Sequence, residues 1–105
     1  ETVEKNQTIK IYENKEETVT LNSTETVKEV RKLITGQNYI IEVGAHKTET
    51  ITNTLSITTG DVIELKCGAS VLRMDSSGKI TLKGSEFKFE ASGPVQITGK
   101  DIDLN

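Results

Sequence analysis

Few side chains in this sequence carry reactive chemistry, and their spacing does not gather them. There is one cysteine, Cys67, and one histidine, His46. A nucleophilic thiolate needs a basic partner beside it, and these two stand 21 positions apart. Cys67 shares a column of apolar residues described below, so it reads as a small buried thiol, inert toward reagents. A single cysteine gives no internal disulfide framework and fits a reducing compartment during folding. His46 has no second histidine and no His-x-His pair. It offers a metal only one ligand per chain, on a symmetry axis. A turn role is the better reading, because histidine joins asparagine in tolerating left-handed backbone. Carboxylates pair at Glu16/Glu17 and at Asp101/Asp103. Asp101 and Asp103 flank Ile102 in a strand-like run, so both face outward, away from any pocket where one acts as acid and the other as base. The glycines are isolated and no helix follows them, which excludes a phosphate-binding loop. Thr-x-Thr pairs at Thr18/Thr20 and Thr48/Thr50 evoke ice-binding ladders, but Glu and Lys interrupt the arrays. The sequence therefore presents no catalytic residue, no cofactor site and no metal site, and reads as a non-enzyme.

The informative signal is a period. Asn6, Asn14 and Asn22 stand eight apart, each three residues after a β-branched apolar residue: Val3, Ile11 and Val19. Glu-Thr-Val begins at Glu1, Glu17 and Glu25, and Glu-Thr-Ile at Glu49. Ile9-Lys10-Ile11, Ile41-Glu42-Val43 and Leu65-Lys66-Cys67 fall in the same register. Asn38 and His46 rejoin the Asn column, and Gly36, Gly44, Gly60 and Gly68 form a glycine column. Internal repeats of this kind govern the reading of everything else. Strand side chains alternate faces with period two, so an eight-residue repeat returns each residue to the same face, whereas a 3.6-residue helix drifts out of register. Val, Ile and Thr suit a pleated surface. Asn and Gly suit corners, because both tolerate left-handed conformations. Each octad thus predicts one short strand and one turn.

Two stretches depart from the pattern. Val27, Val30, Leu33 and Ile34 are spaced like a helical face, and Asn22 with Glu25 resembles a capping pair. The octad register runs through Glu25-Thr26-Val27, so strand is favoured there, with a bulge, loop or short helical turn near Val30 as the alternative. After Gly68 the apolar pairs Ile80/Leu82, Phe87/Phe89, Val95/Ile97 and Ile102/Leu104 start 7, 8 and 7 residues apart. Asp75-Ser76-Ser77-Gly78 predicts a turn. The chain accordingly divides into an octad-repeat segment, residues 1–68, and a distal segment of looser period, residues 69–105.

At 105 residues the sequence bounds one domain or a piece of one. A chain opening on Glu1 rather than Met reads as an excised fragment or a processed chain. It is 33% hydrophobic and 4% aromatic, with no Trp, which is thin material for an independent core. Acidic and basic residues number 16 and 13, a net charge of −3. They are spread evenly: 7 basic and 9 acidic up to Gly60, then 6 and 7. A nucleic-acid surface needs a basic stripe, and there is none. No apolar run is long enough to span a membrane as a helix.

An octad spans about 26 Å at ~3.3 Å per residue, enough for one side of a triangular prism. Three octads complete a coil. They come either from one chain, 24 residues per coil, or one each from three chains wound about a common axis, and periodicity alone leaves both open. The thin apolar content favours sharing, with Val3, Ile11, Val19, Val43 and Ile51, then Ile63, Leu65, Ile80, Leu82, Phe87, Phe89, Val95, Ile97, Ile102 and Leu104, facing inward. The repeats of residues 1–59 resemble the needle of the VgrG spike proteins of bacterial type VI secretion systems. The run from Ile57 to Asn105, with ELKCG, LRMD, GKITLKG and IDLN in order, looks like the segment that closes that needle.

The resemblance implies an all-β fold, a triple-stranded β-helix formed by an intertwined parallel homotrimer. It implies a mechanical role, a cell-puncturing spike of a contractile apparatus that carries a tip protein or effector. The implied partners are two further copies of the chain, a PAAR-type tip protein or effector at the distal end, the secretion tube protein through a preceding region, and the target-cell envelope. Assembly would take place in the bacterial cytoplasm, before ejection into the target cell or medium. Ile102, Asp103, Leu104 and Asn105 are the expected partner-binding residues, since a prism ending on an intact strand layer exposes edges and an apolar cross-section. Phage tail baseplate spikes and trimeric adhesin stalks share the expected fold. A single-chain β-helix enzyme or carbohydrate-binding module is the competing class.

Overall fold

The computed structural model describes residues 4–105. Val3, the first member of the apolar column, lies outside the described residues. The chain divides into two units, Glu1–Lys47 and Thr48–Asn105.

In the first unit the backbone bends at residues 4–5, 12–13, 20–21, 28–29, 36–37 and 44–45, a corner every eight residues. No helix and no hydrogen-bonded strand ladder forms among its described residues. The helix-like spacing around Val30 does not produce a helical turn; a corner falls at Lys28–Glu29, in register with the others. Glu25 does not cap a helix but pairs with Arg31 across that corner, Oε1 to Nε at 2.8 Å.

The second unit continues the count. It bends at residues 52–53 and 60–61, turns at 68–69 and 76–77, and bends again at 85, 92–93 and 100. The apolar pairs here drift by one residue, as their 7- and 8-residue spacing predicts, while the corners hold to eight. Three strands form: β1 (Val62–Cys67), β2 (Ser70–Asp75) and β3 (Ile80–Lys83), an antiparallel sheet in the order β1-β2-β3. The fold is all-β.

Two corners in this unit reverse the chain instead of bending it. Between Cys67 and its partner Ser70 lie only Gly68 and Ala69. Gly68 has φ 56°, and Ala69 has no positive φ, the pattern of a type II′ hairpin turn whose first central position needs glycine. At the other end Gly78 N–H donates to the Asp75 carbonyl at 3.1 Å, and Asp75 N–H to the Lys79 carbonyl at 3.1 Å. Gly78 takes φ 90°. This three-residue loop ends on a left-handed glycine, so the turn read in Asp75–Gly78 is present.

The expectation that Asn and His46 turn the corners through left-handed backbone is corrected. No described residue other than glycine has a positive φ, and Gly68 and Gly78 are the glycines that do. Asn14, Asn22, Asn38 and His46 each follow a bend instead of forming it. An open bend asks for a modest change of direction that ordinary negative-φ residues supply. In this chain the two hairpin reversals are where the left-handed region is used, at Gly68 and Gly78.

Packing within the chain is minimal. No described residue is buried. The chain exposes 11995 Å², about twice the roughly 5,800 Å² of a folded monomer of its mass.

Candidate functional site

The octad column sets the first candidate surface. Ile11, Val19, Val27, Val43 and Ile51 are 49%, 48%, 45%, 49% and 47% exposed. Five residues in different octads share nearly one value, so the repeat is geometric as well as compositional: each side chain meets the same local surroundings. Off-column neighbours are more open, with Tyr12 at 91% and Leu21 at 88%. These β-branched side chains are half covered, and among the described residues nothing covers the other half.

Ion pairs report the backbone between corners. Lys15 meets Glu17 at 3.5 Å, Lys66 meets Glu64 at 3.3 Å, and Lys88 meets Glu90 at 3.1 Å. Each pair is two residues apart, the separation that places side chains on one face of an extended chain. These pairs are exposed and contribute about 0–1 kcal/mol each. Their value here is diagnostic: 15–17 and 88–90, outside the sheet, have the same-face geometry of 64–66 within it.

The sheet is the second surface, and its two faces differ. Cross-strand partners share a face. One face carries the rows Ile63–Met74–Ile80 and Leu65–Leu72–Leu82, with Cys67 opposite Ser70. The other carries Glu64–Arg73–Thr81 and Lys66–Val71–Lys83. On the polar face Arg73 bridges two carboxylates, Glu64 at 3.6 Å and Asp75 at 3.4 Å. On the apolar face Leu65, Ile80 and Leu82 remain 61%, 69% and 56% exposed. A hollow of about 220 Å³ opens there, lined by Leu65, Cys67, Ser70, Leu72 and Leu82 among others. Cys67 is exposed, which corrects the expectation of a buried thiol. It stands in the apolar column as anticipated, but one chain supplies no layer to lie over it.

The turn after β2 is organised by one carboxylate. Asp75 Oδ1 accepts from Ser77 Oγ at 2.5 Å, from Ser77 N–H at 3.0 Å and from Lys79 N–H at 3.2 Å. The Ser77 hydroxyl contributes most to holding the Asp75 carboxyl below the usual carboxylate range. Partial desolvation opposes it, and the Lys79 and Ser77 amides and the Arg73 guanidinium assist. These contacts fix the hairpin and leave Asp75 Oδ1 committed to the loop. Sequence reasoning found the turn but missed this carboxylate's part in it. The available signal was Asp at the first turn position with Ser two residues on, the Asx pattern.

His46 belongs to the first unit and Cys67 to the second. Among the described residues no group of three or more His, Cys, Asp or Glu is placed to hold a metal ion. Ile102, Asp103, Leu104 and Asn105 are exposed, Ile102 at 55% and Leu104 at 90%. Phe87 and Phe89, paired in the sequence as inward residues, stack with centroids 6.2 Å apart and planes within 8°, so they do share a face. No helix among the described residues is long and apolar enough to cross a membrane.

No protein-family model matches the chain. Against curated proteins, 69 residues, 65% of the chain, are 41% identical to the type VI secretion system spike protein VgrG1a of Pseudomonas aeruginosa. The chain carries a VgrG-related segment. The match takes in 11% of VgrG1a, so the segment corresponds to a small part of that protein. The octads without a ladder and the bare sheet face are the features to explain.

Proposed function

We propose that the chain is the needle segment of a type VI secretion spike, a structural element without catalysis, in which three parallel copies intertwine as a triple-stranded β-helix. Residues 1–68 form the octad shaft and residues 69–105 the distal part. One observation carries the assembly: a half-exposed β-branched column repeating every octad in a chain that builds no ladder there from its own strands. Three chains about one axis cover each column with the other two, and satisfy backbone donors and acceptors between chains. The single-chain β-helix needs ladders between octads of one chain. None forms among the described residues outside β1–β3, which disfavours the enzyme and carbohydrate-binding readings. The spike role rests on the likeness to VgrG1a. A phage tail spike or adhesin stalk would share the geometry, and that likeness favours secretion over both.

A closed prism suits the mechanical task of penetrating an envelope while carrying cargo. Closure removes strand edges that would otherwise recruit other chains, and intertwined chains unfold slowly, so resistance to force is kinetic. The distal residues Ile102 to Asn105 would receive a PAAR-type tip protein or effector through strand-edge hydrogen bonds. Sedimentation equilibrium at micromolar chain concentration tests the assembly. Three chains weigh about 34.5 kDa, three times 11.5 kDa, and a folded species of one-chain mass would reject it. Titrating a tip protein against the assembly, and against one shortened before Gly99, tests the distal site. Equal affinity for both would reject that site.

A further inference from the structure

We infer that the β1–β3 sheet sets the register of the assembly: its apolar face packs against the same face of two further copies of this chain, and so fixes which octad of one chain lies beside which octad of the next. The inference rests on the trimeric reading above. Octads specify a face but hardly a register. Sliding one chain by eight residues puts Val19 where Ile11 stood and Ile51 where Val43 stood, with corners again beside corners. A repeat with this degeneracy invites slippage unless something outside it decides.

The sheet is that element. Its rows Ile63–Met74–Ile80 and Leu65–Leu72–Leu82 sit in a fold that occurs once among the described residues. Its ladder closes within one chain, between neighbouring strands, so it needs no partner to begin and forms from local contacts that assemble early. Its polar face is furnished with Glu64–Arg73–Asp75 ion pairs and suits water. Its opposite face is bare, and covering that apolar surface would stabilise the sheet further.

The area argues for copies of this chain as the cover. The exposed surface of 11995 Å² exceeds that of a folded monomer by roughly 6,200 Å². A standard interface removes about 800 Å² per partner, far short of that excess. Contacts repeated along the whole chain are required, and cyclic symmetry supplies them while burying the three equal sheet faces around one axis.

Refolding and unfolding rates of the chain from denaturant, followed by circular dichroism, test this. Leu65→Ala and Leu72→Ala should slow assembly by at least about tenfold and change unfolding little, the signature of contacts made in the rate-limiting step. Val19→Ala and Ile51→Ala should speed unfolding and leave refolding within about twofold. Leu72→Met, nearly isosteric, gives the same direction of effect should Leu72→Ala not assemble. Octad substitutions that slow refolding as much as the sheet substitutions, or sheet substitutions acting on unfolding alone, would overturn the inference and leave the trimer standing. An unmodified chain that sediments as a monomer would overturn both.

Discussion

Residues 62–83 and residues 12–53 share one corner spacing and use it in opposite ways. In the sheet, the corners at 68–69 and 76–77 turn the chain back on itself, and the backbone pairs within the chain. In the octads, the corners at 12–13 through 52–53 only deflect it, and the segments between them find no partner strand. Length and alternation do not distinguish the two. The difference is local: a glycine at positive φ in each reversing turn, with the Asp75 carboxylate gathering three donors at the second. A small change in corner chemistry decides whether an octad pairs within its own chain or, in the proposed trimer, is completed by other chains.

The largest effect that sharpens this contrast is expected from Val43→Asp. In the proposed trimer it sets three carboxylates near one axis without partners, at several kcal/mol per ion. Assembly should be lost in sedimentation equilibrium, while Leu21→Asp, at an off-column position 88% exposed, should still assemble. Next comes Gly78→Ala. An L side chain in left-handed backbone costs about 1–2 kcal/mol, so the thermal midpoint should fall. Gly44→Ala, at an open bend with ordinary φ and free space around the added Cβ, should leave the midpoint nearly unchanged. Equal effects at the two glycines would break the distinction between reversing and bending corners.

A smaller effect is expected from Asp75 and pH. Its folded-state pKa is lowered. Its contribution is therefore fully present above the ordinary aspartate value of about 3.9 and disappears as pH falls through the depressed folded value. Melting curves of the chain and of Asp75→Asn, compared from about pH 6 to about pH 2, should converge at the acid end. A gap that persists there would show that the hydrogen-bond geometry acts without the charge. The smallest effect belongs to Arg31→Ala. The Glu25–Arg31 pair is exposed at a bending corner and contributes about 0–1 kcal/mol. Loss of the 28–29 corner in that variant, seen as altered protease cleavage near Val30, would show that ion pairing makes the bend.

The period was legible in the sequence because several residue types repeat in step, and a two-residue face alternation divides eight. The second reversal was legible for a local reason: Asp, Ser, Ser and Gly in succession satisfy a turn's backbone without help. The reversal at Gly68 was hidden, since Gly68 occupies the same column as Gly36, Gly44 and Gly60. What sets it apart is nonlocal, the match of VIELKC with SVLRMD across the turn. The corner role given to Asn and His46 missed by a residue or two, because an open bend makes no demand that only those side chains satisfy. The exposure of Cys67 depends on layers that a lone chain does not contain. The distal surface at Ile102–Asn105 was proposed from its apolar alternation, and the high exposure of Leu104 gives a partner something to cover.

Corners at a fixed count of eight also limit how such a chain can change length over generations. Duplicating or deleting eight codons moves every later side chain to an equivalent place, and the octad segment grows or shrinks by one repeat. A lesion of one codon turns every downstream apolar residue outward, and a lesion of two keeps the faces but displaces each corner. Lengths among descendants of such a gene should therefore cluster at multiples of eight residues upstream of Val62, with odd-sized gaps confined to the loops.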